Sequence, residues 1–430
     1  MPLAVLDRIV DGAQHYSIRS VDELKKETGW SDADRFGTEI VTLIQQYVPW
    51  LDQPRPQPLA SISPRSQSQP GSLLVLSSAD VSAISSQLFP PDLDSLMTSV
   101  FARLSSRSSF QAPHRSALSL PNHTALFMPS TALGIGTAIK AVSVPSSPTD
   151  IRGLPASTLV IDDDTGAVKA IVNARSLTAT RNAAGSVLAS RLLLSKTPTT
   201  LVAFGAGKQI EAHVDLHLRA FPSLNTITLV NRSVNDRVLA LLNILHARHP
   251  LITFNVLAST PTPADNPDSN VSTNSGDHLD LESLVRAAHI ICTATPSTSP
   301  LFPSSWVSPG THLNLVGSFK PTMREIDDAL VKRAGVVVVD SREACLVEAG
   351  ELIGAGLGEE SMVEIGEIVA INVGDGEAEK LKKCVDVRSK GDVTIFKSVG
   401  VGLQDVAIAC LVVKRAEEMG VGVHVEAYDA

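Results

Sequence analysis

Short apolar runs alternate with amphipathic helical stretches through the middle of the chain. The runs cover residues 201–204, 226–230, 252–257, 289–292, 312–315 and 336–339, and helical periodicity begins near Lys208, Val234, Leu279 and Met323. Strands that are apolar on both faces and separated by helices predict βαβ units and a parallel, doubly wound sheet. Upstream the rhythm differs. Leu73–Leu76 reads as a strand, Ser78 opens a helix behind capping residues, and helical periodicity continues over 93–104. Residues 124–128, 138–144, 157–161 and 168–172 then read as strands, broken by Pro, Gly and the acidic turn 162–166, which predicts a mostly antiparallel sheet. A helix is expected over 176–195, with Ala179, Ala183, Ala184, Gly185 and Ala189 spaced for close packing. Beyond Asp340 the pattern is helical with glycine breaks, apart from a strand-like run at 394–397 and a final helix from Gly402 to Met419.

The chain start does not share this texture. Two helical patterns, over 21–28 and 32–48, are followed by a Pro-, Gln- and Ser-rich stretch at 53–71, which cannot bury enough apolar surface to order itself and reads as a linker. Residues 1–70 are therefore expected to be an appended segment, whose role the sequence leaves open. A second polar tract, 259–278, reads as a surface insertion.

Charge and composition narrow the function classes. Lys and Arg total 36 against 45 Asp and Glu, a net charge of −9, with no basic run, so a protein that grips a nucleic-acid backbone is not expected. Apolar residues make up 43%, yet no run of membrane-spanning length occurs. The first residues lack a basic segment followed by an apolar one, and the last match no lipidation or retention signal, so the cytoplasm is the expected location. Cys292, Cys345, Cys384 and Cys410 lie far apart and are expected to be small hydrophobes rather than a zinc site or a disulfide framework.

Candidate chemistry begins at the first strand of the alternating region. Residues 201–204 run directly into Gly205-Ala206-Gly207-Lys208-Gln209-Ile210 and a helix. Residues without a Cβ at the first two glycine positions let backbone N–H groups approach a pyrophosphate at a helix N-terminus, so a dinucleotide site is expected here. Ile210 stands where the third glycine is usual. The second strand ends in Asn231-Arg232-Ser233, with no acid to bond a ribose 2′-hydroxyl and with Arg232 available for a 2′-phosphate. NADP(H) is accordingly expected in preference to NAD(H).

Several further motifs appear in a fixed order: Met128-Pro129, Lys140, Asp164-Thr165-Gly166, Thr178-Ala-Thr-Arg181-Asn182-Ala-Ala184, the 205–207 turn, Cys292-Thr293-Ala294-Thr295, Val316-Gly317-Ser318, Arg324-Glu-Ile-Asp327, Glu348-Ala-Gly350 and Ser398-Val-Gly400 with Asp405. In this order they resemble the ornithine cyclodeaminase/μ-crystallin family over roughly 73–416. The resemblance implies an α/β fold in which a Rossmann domain, 181–340, is inserted into an α+β substrate-binding and dimerisation domain built from 73–180 and 341–416. It also implies a homodimer paired through sheets and a small amino- or imino-acid substrate. Arg115, Lys140 and Arg181 match the positions that hold the substrate carboxylate, with Lys140 and Arg181 as the catalytic pair. Met128, Ser318 and Gly400 are expected to border the substrate. Thr293, Ala294, Thr295, Val316, Gly317 and Ser318, at strand ends, are expected beside the nicotinamide.

Two departures bear on the reaction. Members that cyclise ornithine carry a Glu just before the Leu-Met-Pro stretch and an Asp in the fifth-strand motif, and Leu126 and Phe319 stand there in this chain. Neither can receive an ammonium or move a proton. The expected reaction is therefore NAD(P)H-dependent reduction of a cyclic imino acid, such as Δ1-pyrroline-2-carboxylate or Δ1-piperideine-2-carboxylate, to an L-amino acid. Two alternatives stay open: an ornithine cyclodeaminase or alanine-dehydrogenase-like oxidoreductase, and a non-catalytic NADP-dependent ligand-binding protein of the μ-crystallin type. A third departure, Asn182 where the family has Thr, has no readable effect. His213 and His217 sit at i, i+4 without a third ligand and are expected to be exposed helix residues, so no metal is expected.

Overall fold

The computed structural model describes residues 20–30, 32–47, 71–113, 115–147, 154–259, 280–370 and 376–429. The expected linker, apart from Gly71, and the polar tract after Ser259 lie outside these residues. Contacts divide the chain into two units, Met1–Gln67 and Ser68–Ala430.

In the first unit, α1 (Val21–Thr28) and α2 (Ala33–Tyr47) occupy the two segments with helical periodicity. Ser20 caps α1 by accepting from the Glu23 N–H, and Gly29 ends it in the left-handed region at φ +62°.

The second unit holds two sheets. The first comprises β1 (Leu73–Leu76), β2 (Phe110–Gln111), β3 (Ser116–Ser119), β4 (His123–Ala132), β5 (Gly136–Pro145), β6 (Ala156–Ile161) and β7 (Val168–Asn173). Its order is β1-β7-β6-β5-β4-β2, with β3 also on β4 and Val423–Val425 added at the β1 edge. Every pair is antiparallel except β1 with β7. The acidic turn joins β6 to β7: Asp162 Oδ1 accepts from the Thr165 N–H at 3.0 Å, and Gly166 supplies φ +76°.

The second sheet is parallel throughout and contains β8 (Thr200–Phe204), β9 (Thr226–Asn231), β10 (Thr253–Ala258), β11 (Ile290–Thr293), β12 (His312–Leu315), β13 (Val337–Val339), β14 (Met362–Glu364) and β15 (Thr394–Lys397). Its order, β10-β9-β8-β11-β12-β15-β13-β14, reverses direction between β8 and β11, where the loops after the strands diverge and leave room for a ligand. Two strands come from beyond residue 340. β14 sits at the edge, and β15 lies between β12 and β13, so this sheet draws on the segment expected to complete the other domain. Ile395 and Phe396 are almost fully buried, as expected of a parallel strand covered on both faces.

After β1, α3 (Ser78–Gln87) and α4 (Pro90–Ser106) follow in the upstream part, and α5 (Leu177–Leu193) later leads into the region of α6 (Lys208–Ala220) and α7 (Asp236–Arg248). Helix α5 is buried on nearly every side, which its small residues permit. Its contact with α6 corrects one expectation: His213 and His217 are buried, not exposed. His213 Nε2 lies 2.9 Å from Ser186 Oγ, and His217 Nε2 lies 3.0 Å from Ser190 Oγ. Each Nδ1 faces the carbonyl one turn earlier, at 2.7 Å, so the histidines and serines satisfy one another across the helix pair. Burial lowers His213 to about 4 and His217 to about 3, which keeps both neutral at physiological pH. Cys292, Cys345 and Cys384 are buried as expected, and Cys410 is half-buried.

Candidate active site

The strand-to-helix turn at 205–207 has the shape the glycines predict. Gly205 adopts φ +120°, and a Cβ there would stand 2.9 Å from the Ala294 carbonyl oxygen and 3.3 Å from Ile210 Cγ1. Ile210, in the third-glycine position, is fully buried and fills that corner. The Gly205 N–H donates to the Val230 carbonyl at 2.8 Å, which sets this turn beside the end of β9. There Asn231 Nδ2 donates to the Ser233 carbonyl at 3.0 Å, and Arg232 is exposed. Lys208 is paired with Glu211 at 2.6 Å, while Gln209 Oε1 is buried with no hydrogen-bond partner among the described residues. A turn closed to side chains and helix N–H groups at α6 without intrahelical partners fit a dinucleotide phosphate.

The ends of β11 and β12 are joined by a residue whose role the sequence does not reveal. Glu325 is fully buried; it accepts from Thr293 Oγ1 at 2.7 Å, from the Thr295 N–H at 2.7 Å, from Thr295 Oγ1 at 2.9 Å and from the Gly317 N–H at 2.8 Å. One carboxylate thus fixes both turns expected beside the nicotinamide, 293–295 and 316–318. Burial raises Glu325 above the usual carboxylate range, although Lys397 opposes the shift. Ser318 is fully buried: its hydroxyl donates to Glu351, and its carbonyl accepts from Lys397 Nζ at 2.6 Å. Lys397 and Glu351, both fully buried, form an ion pair at 2.8 Å. Phe319, where ornithine-cyclising relatives have an acid, is 39% exposed and carries the Lys320 ammonium 5.6 Å above its ring.

A second cluster gathers Lys140, Arg181 and Asp405. Lys140 lies on β5 directly opposite Met128 on β4 and Thr158 on β6. Its Nζ donates to Asp405 Oδ2 at 2.8 Å and to Thr178 Oγ1 at 3.3 Å. Arg181, on α5, donates from Nε to Asp405 Oδ1 at 3.1 Å and from Nη1 to Gln404 Oε1 at 2.8 Å and to Asn182 Oδ1. Asn182, the departure without readable effect, therefore holds the arginine in place. Among the described residues Arg181 Nη2 donates to none. Burial lowers the Lys140 ammonium below its ordinary range; Asp405 opposes this and Arg181 adds to it. Burial alone would raise Asp405, but Arg181 and then Lys140 outweigh it and hold the carboxylate ionised. Asp405 and Gln404 open the helix Gly402–Met419; sequence analysis placed Asp405 in a motif and gave it no partner.

Residues 397–400 connect the two clusters. Lys397 grips the Ser318 turn, and Gly400, at φ +84°, lies so close to Arg181 that a Cβ would stand 2.5 Å from Nη1 and 2.8 Å from Nη2. Asp340 fixes this segment, accepting from Ser398 Oγ and from the Gly400 N–H, each at 2.7 Å. Arg115 has no hydrogen bond to Lys140, Arg181 or Asp405: it is exposed and paired with Glu348, whose carboxyl burial raises while Arg115 lowers it.

A family profile described as ornithine cyclodeaminase/mu-crystallin matches residues 79–260 and 276–420. The chain belongs to the ornithine cyclodeaminase/mu-crystallin family. Among its relatives, a Bacillus cereus protein named delta(1)-pyrroline-2-carboxylate reductase is 30% identical over 322 residues, covering 73% of this chain and 89% of that one. The Mus musculus protein named ketimine reductase mu-crystallin is 28% identical over 269 residues, covering 62% of this chain and 71% of that one. In fold, the chain is similar to the Thermococcus litoralis delta(1)-pyrroline-2-carboxylate reductase solved with NADH and L-proline, at a TM-score of 0.65 and 23% identity over 82% of this chain and all of that one. Of the motifs read from the sequence, 293–295, 316–318 and Glu325 build one cluster and Lys140, Arg181 and Asp405 the other, while Asp164–Gly166 lies in the turn between β6 and β7.

Proposed function

We propose that this protein reduces a small cyclic imino acid, such as Δ1-pyrroline-2-carboxylate or Δ1-piperideine-2-carboxylate, to the L-amino acid, using NADPH in preference to NADH. The observation that carries this reading is the continuity of residues 397–400, which hold the Ser318 turn at one end and abut Arg181 at the other. A carboxylate held by Arg181 would thereby sit beside the strand ends where an open α/β sheet binds its ligands. The names of the relatives support the same substrate class.

The dinucleotide would be held by Gly205, Ala206, Gly207, Gln209 and Ile210 at the phosphates, by Asn231, Arg232 and Ser233 at the adenosine end, and by 293–295 and 316–318 at the nicotinamide. When bound in reduced form it supplies the hydride for the C=N carbon. Arg181 presents its unpartnered Nη2 to the substrate carboxylate, and Asp405 and Gln404 hold the guanidinium so that little freedom is lost on binding. Arg115 would join the clamp by leaving Glu348. Lys140, whose ammonium burial makes a better acid, supplies the proton that keeps the ring nitrogen in iminium form. Leu126 and Phe319, in place of the two acids, can neither receive a second substrate amine nor move a proton, which favours imine reduction over cyclodeamination of ornithine.

The resemblance also leads us to expect a homodimer. Leu118, Leu120, Phe127 and Leu133 are exposed on and beside β3 and β4, which supports pairing through this sheet. No helix among the described residues is long and apolar enough to cross a membrane.

The test is NADPH oxidation at 340 nm with Δ1-pyrroline-2-carboxylate. Turnover in the wild type, with losses of about a hundredfold or more in Lys140→Met and Arg181→Met, is expected from removing an acid and an anchoring cation. Absence of turnover across pyrroline, piperideine and open-chain imines would overturn the proposal.

A further inference from the structure

Sequence reading singled out Arg232 as the cation for a 2′-phosphate, but the structure brings a second arginine to the same corner. Arg237 stands in the first turn of α7, six residues past the end of β9. Its guanidinium folds back across the fingerprint turn: Nε donates to the Ala206 carbonyl at 3.0 Å, and a Cβ on Gly207 would stand 3.1 Å from its Nη2. Gly207 therefore makes room for the arginine as well as for a phosphate. The bond from the Gly205 N–H to the Val230 carbonyl keeps this turn against the end of β9, where Arg232 begins the next turn. Both arginines are exposed, and among the described residues neither is paired with a carboxylate. The chain carries a net charge of −9, so two unneutralised guanidinium groups at one strand-end corner are a local reversal of its overall sign.

We infer that Arg237 is a specificity-determining residue that reads the ribose 2′-phosphate together with Arg232, with the Ala206 carbonyl holding it in place beforehand. The inference rests on the NADPH preference proposed above and goes beyond it by assigning that preference to two side chains on opposite sides of one turn. With Nε anchored, the terminal Nη atoms remain for a phosphate, and a pre-oriented guanidinium binds it with less loss of rotamer freedom than a free surface arginine. The bland alternative is that Arg237 only braces the glycine turn, which would affect both nucleotides alike.

Calorimetric titration of the full-length protein with 2′,5′-ADP and with 5′-ADP separates these cases without reference to turnover. The wild type is expected to bind 2′,5′-ADP more tightly. Arg237→Ala should weaken 2′,5′-ADP about tenfold while changing 5′-ADP less than about twofold, the size expected for one charge-assisted phosphate contact near solvent. Arg237→Lys, which keeps the charge and loses the fork, should fall between. Equal weakening of both nucleotides, or no change in either, would overturn the inference while leaving the NADPH reading intact. A wild type with no preference for 2′,5′-ADP would overturn the NADPH reading itself, and is read from the unmodified protein alone.

Discussion

Asp405→Asn is the substitution for which the structure fixes both sign and size. The carboxylate accepts from Lys140 at 2.8 Å and from Arg181 at 3.1 Å, with all three groups about nineteen-twentieths buried. Asparagine keeps the volume but strands two cations away from water, and breaking a buried pair by removing one partner costs about 3–5 kcal/mol. For the larger unit, Ser68–Ala430, an unfolding entropy of about 2 cal/mol/K per residue converts this into a fall of roughly 4–7 °C in Tm. Circular dichroism melts of the wild type and the variant provide the measurement. Adding Lys140→Met to Asp405→Asn removes one stranded charge and should recover part of the loss, so the two changes should be clearly non-additive. An Asp405→Asn melt within about a degree of the wild type, or strict additivity in the double variant, would show that Lys140 and Arg181 do not depend on this carboxylate.

Three further outcomes follow from the same geometry. Gly400→Ala would place a Cβ against Arg181 Nη1 and Nη2 at a backbone φ of +84°, so KM for the imine should rise severalfold with the nucleotide affinity unchanged, and an equal weakening of imine and nucleotide binding would refute the placement. Gly205→Val should abolish most nucleotide binding, by at least about tenfold in calorimetry, because its side chain would enter the space before the Ala294 carbonyl. Acid sensitivity comes from His213, His217 and His312, which burial lowers to about 4, about 3 and about 4: the folded state keeps them neutral while the unfolded chain protonates near 6.5. The stability they contribute is complete above about pH 6.5 and is lost as pH falls toward 4, at about 2 kcal/mol each by pH 5, so urea midpoints should drop over that window and drop less in His312→Asn.

The strand runs of the parallel sheet were legible because buried parallel strands are apolar on both faces, and the 205–207 turn because a glycine with φ +120° against a neighbouring carbonyl admits no side chain. The partners of Lys140 were not legible: Asp405 lies 265 positions away and meets it only once the final helix packs on β5. The histidines misled for a related reason. Their i, i+4 spacing on α6 is visible, but the matching spacing of Ser186 and Ser190 on α5 acquires meaning only when the helices dock. The same holds for β15, whose apolar run was evident while its place between β12 and β13 was not. Glu325 sat within a recognised motif, yet its task is to bond two turns that are remote in sequence.

The most direct test of the central claim compares two routes to one product in the same protein. Chiral chromatography quantifies L-proline formed from Δ1-pyrroline-2-carboxylate with NADPH and, separately, from L-ornithine with catalytic NAD+. Imine reduction predicts rapid L-proline formation in the first mixture and none above background in the second. L-Proline and ammonia arising from ornithine, with no product from the imine, would contradict it.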